Sequence, residues 1–474
     1  MVQVFDVPKT AIELGQVFEA AGYELALVGG SVRDIILRRP SQDLDFTTNA
    51  RPEKVKSLLS GYLDDLWDIG KDFGTIGGNK YVDGKPLQVE VTTYRTDEYD
   101  PSSRKPLVKY GDTLRGDLSR RDFTVNAIAL RLPNISLEDP FGGVADIGRS
   151  LLRTPIEPAK SFDDDPLRMM RAVRFLAQLG FRIEAETAAA ILEMHERISI
   201  VSKERIRDEF TKLILSPRPS IGVDALVDSG LIDYIVPELP ALKMQIDPSH
   251  HHKDVYAHTL KVLENSLRYE NDYLGGPDLT IRFACLLHDI AKPQTRRFDS
   301  RGKVSFRMHD VIGAKIALRV LKTLRFDKET TRNVAKLVEL HMRFYGYGDA
   351  KWTDSAVRRY AHDAGDLLKR LHVLTRSDVT TQNSRKASRL AHAYDDIEQR
   401  INEIEEQEEL GKIRPDLNGH EIMEVLGVGE GKEGWKIGKS YDYLLNHRIE
   451  NGPVSKEEAT KMLLDFAKRE FKND

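Results

Sequence analysis

Residues 27–34 have the sequence Leu-Val-Gly-Gly-Ser-Val-Arg-Asp. This stretch indicates the fold of the first part of the chain. The apolar run before the two glycines is typical of a buried strand, and the residues from Ser31 onward resume with helical periodicity. A glycine turn that leads onto a helix N-terminus can bind a phosphate, because free backbone N–H groups and the helix dipole favour an anion. We therefore predict a phosphate-binding turn at Gly30, with Arg33 as a further, forked donor.

The next segment supplies paired acidic side chains. Residues 43–46 read Asp-Leu-Asp-Phe, and strand alternation places Asp43 and Asp45 on one face. Adjacent carboxylates repel each other unless a cation lies between them. A phosphate turn followed by such a pair is what two-metal phosphoryl or nucleotidyl transfer needs, with Mg²⁺ ions ~3.5–4 Å apart. Glu90, on a later alternating stretch, is either a third carboxylate of this site or an exposed strand residue.

Length and composition limit the alternatives. The 474 residues are too many for one core and predict several domains, and 71 basic against 75 acidic residues leave a formal net charge of −4. Any nucleic-acid contact must therefore come from local patches. The single cysteine, Cys285, cannot form an intrachain disulfide. Because no apolar stretch approaches the ~20 residues that span a bilayer, we expect a soluble, cytoplasmic protein.

The chain changes character near residue 150. Strand and helix patterns alternate before that point. The exception is a polar stretch at residues 94–116, which is typical of a mobile surface loop. From residue 161 onward, nearly every pattern predicts helix. The sequence thus predicts an α+β fold, with a mixed sheet and helices followed by all-α regions. We expect four domains: a head at 1–150, a helical neck at 151–245 that binds nucleobase and RNA, a metal domain at 246–383 and a helical tail at 384–474.

Two arginine-rich motifs suit an anionic ligand. In the first, Ser119 would cap a helix whose first turn carries Arg120 and Arg121. Arginines near a metal–carboxylate site suit a triphosphate, because each guanidinium binds oxygens bidentately. Without such a site nearby, an arginine pair is usually a solvent-exposed feature of the surface that binds no ligand. The two interpretations differ in whether Arg121 lies close to the acidic pair.

The second motif begins a long helix. After Asp165 and Pro166, three arginines recur at every third residue and would form an uncompensated stripe on one flank of that helix. Asp165 and Arg168 also provide an acceptor and a donor one turn apart, which could read a nucleobase edge. A surface salt bridge would explain that one pair equally well, but it explains the whole stripe poorly. The stripe consists of Arg168, Arg171 and Arg174.

Histidines and acids gather in the predicted metal domain. They are spaced by helix lengths, and one His-Asp pair lies inside an apolar helix at residues 283–290. A helical bundle collects imidazole and carboxylate ligands around a divalent metal in this way. The candidate ligands are His258, His288, Asp289, His309, His341 and Asp378.

Taken together, four motifs resemble those of the bacterial class II CCA-adding tRNA nucleotidyltransferase and poly(A) polymerase family, within the polymerase-beta nucleotidyltransferase superfamily. The histidine series is similar to an HD-type phosphohydrolase domain. One departure is Asp164-Asp165, where the family usually has Glu-Asp, and the charge is kept. The motifs cover roughly the first half of the chain, at residues 27–34 with 43–45, 120–127, 139–143, and 164–168 with 171–175.

The resemblance implies a role for each motif. Asp43 and Asp45 would be the Mg²⁺-binding catalytic pair of a polymerase-beta-like head, and the HD domain would hold a divalent transition metal. The partners would be tRNA, CTP and ATP. The nucleotide-binding residues would be Gly30 and Arg33 on the triphosphate, Arg121 on the nucleotide, Asp165 and Arg168 on the Watson–Crick edge, and Arg171 and Arg174 in support of those two.

The leading hypothesis is a CCA-adding enzyme that extends tRNA 3′ ends with C, C and A. A poly(A) polymerase shares the head and every motif, so it is the nearest alternative. A third reading is an HD metal phosphohydrolase with a decayed transferase head, against which the intact acidic and arginine motifs argue. A non-catalytic RNA-binding scaffold would have no need of paired carboxylates.

Overall fold

A seven-stranded sheet organises the first part of the protein. In a computed structural model its order is β3 (Asp65–Trp67), β4 (Thr75–Val82), β5 (Lys85–Thr93), β2 (Asp43–Thr48), β1 (Leu25–Val28), β8 (Ala129–Leu132) and β9 (Ser136–Glu138). Strands β2 and β5 run parallel, and the other neighbours are antiparallel. The expected mixed sheet is therefore confirmed.

The structure describes most of the chain, with internal gaps. The described residues are 5–40, 43–67, 74–98, 107–111, 113–243, 254–302, 304–344, 347, 352–381, 383–408, 414–428 and 433–471. The chain divides into two compact units, Met1–Pro237 and Glu238–Asp474.

The parallel pairing of β2 with β5 brings the predicted acids together. Asp45 lies opposite Glu90 in the register, and Asp43 lies opposite Gln88. Leu44 and its strand neighbours on the other face are fully buried in the core. The alternation of the sequence therefore separates an acidic face from an apolar one, as the pattern predicts.

The rest of the first unit is mainly helical. Two small sheets pair β6 (Arg95–Glu98) with β7 (Leu107–Tyr110), and β10 (Leu151–Leu152) with β11 (Arg182–Ile183). Short 3-10 helices occupy Thr124–Asn126, His195–Ile200 and Leu231–Tyr234. The α-helices are α1 (Lys9–Ala20), α2 (Gly30–Ile36), α3 (Pro52–Ser60), α4 (Leu114–Ser119), α5 (Gly143–Gly148), α6 (Pro158–Asp164), α7 (Leu167–Leu179), α8 (Ala185–Met194), α9 (Lys203–Ile214) and α10 (Pro219–Asp228).

Two local predictions are wrong. The stretch 94–116 is not simply a loop, because β6 and β7 form an antiparallel pair and α4 follows them, while residues 99–106 lie outside the described part. Ser119 does not cap the start of a helix. It is the last residue of α4, whose N-cap is Thr113, with the Thr113 side chain accepting the Gly116 N–H at 3.2 Å. Arg120 and Arg121 therefore follow a helix C-terminus, where basic side chains are also favoured.

The second unit consists mostly of helices. One antiparallel strand pair, β12 (Arg296–Phe298) with β13 (Val304–Phe306), interrupts them. Short 3-10 helices lie at Pro240–Leu242, His341–Phe344 and Gly365–Leu367. The α-helices are α11 (Val255–Leu274), α12 (Leu279–Leu287), α13 (Lys292–Thr295), α14 (His309–Thr323), α15 (Lys328–Leu340), α16 (Asp354–Ala364), α17 (Leu368–Ser377), α18 (Ser384–Glu408), α19 (Gly419–Leu426), α20 (Gly434–Asn451) and α21 (Lys456–Glu470).

The two parts of the fold class are thus both present, with a mixed sheet and helices first and helices afterwards. Within the described ranges, none of the helices combines the length and the apolar character that crossing a bilayer requires. Helix α12 is buried along nearly its whole length, so it forms the centre of its bundle.

Candidate functional site

The glycine turn between β1 and α2 lies against the acidic face of the sheet. Gly29 is the N-cap of α2 and has a φ of 70°, a conformation that favours glycine. A Cβ atom placed there would lie 3.0 Å from Arg121 Nη1 and 3.7 Å from Asp45 Oδ2. The turn backbone is therefore close to both a guanidinium and a carboxylate, and any side chain at Gly29 would enter the space between them.

Ser31 ties the turn to the acidic strand. Its Oγ donates to the carbonyl oxygen of Asp43 at 3.0 Å and accepts the backbone N–H of Asp45 at 3.1 Å. These two bonds fix the separation between the start of α2 and the backbone of β2. The sequence identified Ser31 only as the beginning of a helical pattern, so this link was missed.

The acidic cluster carries an excess of negative charge. Burial raises the pKa of Asp45 to about 6, Arg121 opposes that rise, and the neighbouring Glu90 and Asp43 add to it. Glu90 also accepts a hydrogen bond from Gln88 Nε2 at 2.8 Å. Three carboxylates around a partly buried position match the hard oxygen ligands that Mg²⁺ prefers. The residues present therefore fit a divalent cation.

Arg121 is held beside this cluster with one donor unused. Its Nη2 donates to Asp117 Oδ2 at 3.3 Å, and Asp117 also accepts from Arg120 Nη2 at 2.8 Å. The Nε of Arg121 is buried and has no hydrogen-bond partner among the described residues. An unpartnered buried donor on a charged guanidinium is unfavourable unless an anion accepts from it. Arg121 therefore lies close to the acidic pair, a proximity that the sequence alone could not establish.

Arg33 is engaged within the protein. Its Nε and Nη2 donate to Asp34, at 2.9 and 3.1 Å, and its Nη1 donates to Asn126 Oδ1 at 2.8 Å. The side chain is buried. These bonds hold α2 against the Thr124–Asn126 turn. To contact a triphosphate, as predicted, Arg33 would have to give up some of these hydrogen-bond acceptors.

The side chains of Asp165 and Arg168 have different partners, although the backbone N–H of Arg168 donates to the Asp165 carbonyl oxygen at 3.0 Å. Asp165 Oδ2 pairs with Arg205 at 2.8 Å, whereas Arg168 Nη1 donates to Ser161 Oγ at 2.8 Å. Arg168 Nη2 donates to the backbone carbonyl of Arg120. Sequence analysis missed Arg205, because nothing in its neighbourhood distinguishes it from an ordinary surface arginine.

The expectation of an uncompensated arginine stripe is wrong. Arg171 Nε donates to Asp122 Oδ2 at 2.8 Å, and Arg174 Nε donates to Glu209 Oε2 at 2.6 Å. These acids lie 49 and 35 residues away in sequence, on other elements, so the helix pattern could not reveal them. The two carboxylates neutralise most of the stripe.

The candidate metal ligands of the second unit converge, as the helix-length spacing predicts. They form two adjacent groups, and within each group the ligand atoms lie within 4.8 Å of one another. Asp289 faces both groups, with Oδ2 3.2 Å from His288 Nε2 and Oδ1 3.5 Å from His309 Nε2. The groups are His258, His288 and Asp378, and Asp289, His309 and His341.

Backbone carbonyls orient three of the imidazoles. The Nδ1 atoms of His288, His309 and His341 lie 2.8, 2.7 and 2.6 Å from the carbonyl oxygens of the residues three positions earlier. A carbonyl only accepts, so each Nδ1 carries the proton and each Nε2 points inward. This arrangement of the outer nitrogen is typical of metal-binding histidines. The donor set therefore fits one or two divalent transition metal ions.

The charges of this centre also favour a cation. Burial alone would lower the pKa of His288, but Asp289 and Asp378 raise it to about 10. Lys292 Nζ donates to Asp289 Oδ2 at 2.6 Å, so this carboxylate oxygen has a cationic neighbour within the protein. Asp289 and Asp378 thus favour positive charge beside them, whereas burial and the neighbouring His288 lower the pKa of His341 to about 4.

Family models match the two parts of the chain that contain these residues. The family model described as the poly A polymerase head domain matches residues 25–153, and the HD domain model matches residues 255–382. Between them, the model described as "Probable RNA and SrmB- binding site of polymerase A" matches residues 180–242. An A-adding tRNA nucleotidyltransferase of Deinococcus radiodurans is 32% identical over 414 residues, covering 86% of this chain and 88% of that protein.

The chain belongs to the tRNA nucleotidyltransferase family. Another member, the CC-adding tRNA nucleotidyltransferase of Thermus thermophilus, is 31% identical over 451 residues, which is 92% of each chain. The CCA-adding enzyme of Lactobacillus helveticus is 39% identical over 258 residues, 52% of this chain and 61% of that protein. This nucleotidyltransferase also shares the fold of the Bacillus stearothermophilus CCA-adding enzyme solved in complex with CTP, with a TM-score of 0.67, 24% identity and coverage of 99% and 100% of the two chains.

Proposed function

We propose that this nucleotidyltransferase adds C, C and A to the 3′ end of tRNA, using CTP and ATP. The observation that carries the proposal is the three-carboxylate face of β2 and β5 beside the Gly29 turn and the unpartnered Nε of Arg121. A tRNA substrate would place this activity in the cytoplasm. We also propose that the chain is divided into a head, a helical neck, an HD domain and a helical tail.

The geometry suggests how the residues of the head would act. Asp43 and Asp45, with Glu90 beside them, would hold Mg²⁺, which when bound stabilises charge on the attacking and leaving oxygens. The turn backbone at Gly30 and the free Nε–H of Arg121 would bind the triphosphate. Attack of the RNA 3′-hydroxyl on the α-phosphate forms the new phosphodiester bond, breaks the bond to the β-phosphate and releases pyrophosphate.

The relatives differ in the nucleotides that their names say they add. Two relatives that match nearly the whole chain are named A-adding and CC-adding, whereas others that match about half of it are named CCA-adding. We favour complete CCA addition because these CCA-adding relatives are 39% and 40% identical over the part that they match, against 32% and 31% for the A-adding and CC-adding relatives. A poly(A) polymerase remains the nearest alternative.

The test uses three tRNA transcripts, ending before the CCA, after the first two C residues, or complete. Each is incubated with CTP, ATP or both, and the products are sequenced. We expect two C residues from CTP alone on the first transcript, one A from ATP on the second, and no extension of the third. Addition of only C or only A would identify a partial enzyme, and a long A tail on unrelated RNA would identify a poly(A) polymerase.

Asp165→Ala should relax nucleotide choice. A side chain that presents a hydrogen-bond acceptor to the base typically contributes ~1–3 kcal/mol of discrimination, so we expect a ~5- to ~150-fold loss of preference for CTP and ATP over UTP and GTP. The control is Asp163→Ala, because Asp163 is an exposed acid that pairs with Arg197 at 2.8 Å as Asp165 pairs with Arg205. Equal loss of all four nucleotides would assign Asp165 to structure.

Arg168→Ala is the companion variant. It should relax the same preference, but it also removes the bonds of Arg168 to Ser161 and to the Arg120 carbonyl, so we expect a lower Tm than for Asp165→Ala. Unchanged nucleotide preference together with a lowered Tm would limit Arg168 to a structural role.

The HD centre supports a second candidate activity. Its six inward ligand atoms and its bridging carboxylate suit metal-dependent hydrolysis of phosphate esters. We propose a phosphatase or phosphodiesterase activity there, independent of nucleotide addition.

A further inference from the structure

The hydroxyl of Ser31 is buried beside the acidic strand and has no role in the mechanism above. Ser31 lies in the first turn of α2, directly after Gly30, and is 2% exposed. Its Oγ donates to the backbone carbonyl of Asp43 and accepts the backbone N–H of Asp45. A serine hydroxyl has one proton, so in this arrangement Ser31 cannot also donate to a bound phosphate. Its bonds serve the strand that carries the acidic pair.

These two bonds replace a part of the sheet that β1 does not supply. The register of β1 with β2 extends to Phe46, and β1 then ends at the glycine turn. The other edge of β2 is paired with β5 along its whole length. The carbonyl of Asp43 and the N–H of Asp45 are two residues apart, so they point to the same edge of the strand, the edge that β1 has left. Ser31 Oγ therefore takes the place of the missing strand partner.

One side chain thus connects the phosphate turn with the acidic strand. The two lie close together, because a Cβ atom placed at Gly29 would be only 3.7 Å from Asp45 Oδ2. Without the Ser31 hydroxyl, the end of β2 that carries the acids would be held on the β5 edge alone. It could then move relative to the turn while the turn itself stayed intact.

We propose that Ser31 is a positioning residue that sets the distance between the phosphate turn and the acidic pair. The inference rests on the proposed function, because it assumes that the phosphates of a nucleotide lie at the turn and that the acids act on the α-phosphate. A fixed distance keeps the α-phosphate in line with the attacking hydroxyl, and a misplacement of ~1 Å can cost ~100-fold in rate. Loss of the hydroxyl should therefore slow the chemical step more than it weakens nucleotide binding.

The test compares Ser31→Ala with the wild type in single-turnover addition of one nucleotide to tRNA. We expect the rate at saturating CTP to fall by ~10-fold or more, and the Kd for CTP to change by ~3-fold at most, because the turn is kept. Mn²⁺, used alone as a probe of the acidic pair and followed by electron paramagnetic resonance, should bind the free protein more weakly. Ser31→Thr keeps a hydroxyl and should recover part of the rate.

The matched control is Thr48→Val on the same strand. Thr48 is fully buried, and its Oγ1 also makes two backbone bonds, donating to the Glu24 carbonyl and accepting the Ala50 N–H at 3.1 Å. This change therefore removes an equivalent hydroxyl from the end of β2 that lies away from the acids. We expect a similar fall in Tm, with a normal rate and normal Mn²⁺ binding.

Two results would overturn the inference. One is a folded Ser31→Ala protein with the wild-type rate and Mn²⁺ affinity, and the other is an equal loss of rate in Thr48→Val. If Ser31→Ala does not fold, Ser31→Cys replaces it, because a thiol nearly fills the same space but is a weak hydrogen-bonding group. A wild-type protein that adds no nucleotide would instead overturn the proposed function, and the Mn²⁺ comparison would still test the role of Ser31.

Discussion

Replacing Asp45 by Asn is expected to lower nucleotide addition by ~10³-fold or more, since the metal-supported stabilisation of charge that depends on this carboxylate amounts to several kcal/mol. Asp43→Ala and Asp45→Ala should abolish addition in the same way. Folding should not suffer, because the apolar side chains of β2 point to the other face of the sheet. RNA binding should also be retained.

The Asp45→Asn variant should be at least as stable as the wild type. Burial and neighbouring acids raise the pKa of Asp45 to about 6, so the charged form is unfavourable in the folded protein near neutral pH. A neutral amide of equal size removes that cost, and we expect an unchanged or higher Tm. Single-turnover extension of tRNA and thermal unfolding provide the two measurements.

The control for Asp45 is Asp83→Asn. Asp83 lies in the hairpin turn between β4 and β5 and has a φ of 50°, a conformation that Asn accepts readily. It should leave both addition and Tm unchanged. Near-normal turnover in Asp45→Asn would contradict the assignment of the acidic face to catalysis.

Replacing His288 and Asp289 together by Ala is expected to remove bound transition metal from the second unit. Asp289 faces both groups of ligands, so its loss weakens every site that the centre can form. We expect metal affinity to fall by ~100-fold or more, because the loss of a ligand costs more affinity than the loss of a residue that only hydrogen-bonds to a ligand. Hydrolysis of small phosphorylated substrates should disappear, and nucleotide addition should stay nearly normal.

The matched control is another His-Asp pair in the same unit, His362 and Asp363. Both side chains are partly exposed, and neither belongs to the two ligand groups. His362→Ala with Asp363→Ala should therefore retain the metal. Elemental analysis of the purified proteins decides the matter, because unchanged stoichiometry in the His288 and Asp289 variant would mean that these residues ligate nothing. Asp289→Asn is a gentler change in case the double variant unfolds.

The sequence predicted those features that depend on a regular period. Alternation placed Asp43 and Asp45 opposite the apolar core, and the glycine turn led onto α2 as expected. Helix-length spacing also predicted that the histidines converge, because helices of similar length bring residues near corresponding ends to the same level of a bundle. Such patterns are local or repeat regularly, so a single sequence contains them.

Pairings between distant elements could not be predicted in this way. The stripe on α7 looked uncompensated because Asp122 and Glu209 lie far from it in the sequence, and the pairing of Asp165 with Arg205 joins the α6–α7 connection to α9. Helical spacing identifies neighbours within one helix only. The β6–β7 pair was missed for a related reason, since its strands are short and lie in a polar stretch.

The parallel pairing of β2 with β5 also has a consequence for the order of folding during synthesis. The strand that carries Asp45 is central in the sheet, and its neighbours are β1 and the much later β5. Glu90 joins the acidic face only after α3 and two further strands have been made, and β8 and β9 then complete the other side of the sheet. Such non-local pairing is slow compared with helix formation. The acidic face of the nascent chain therefore stays incomplete until β5 has emerged from the ribosome and paired with β2.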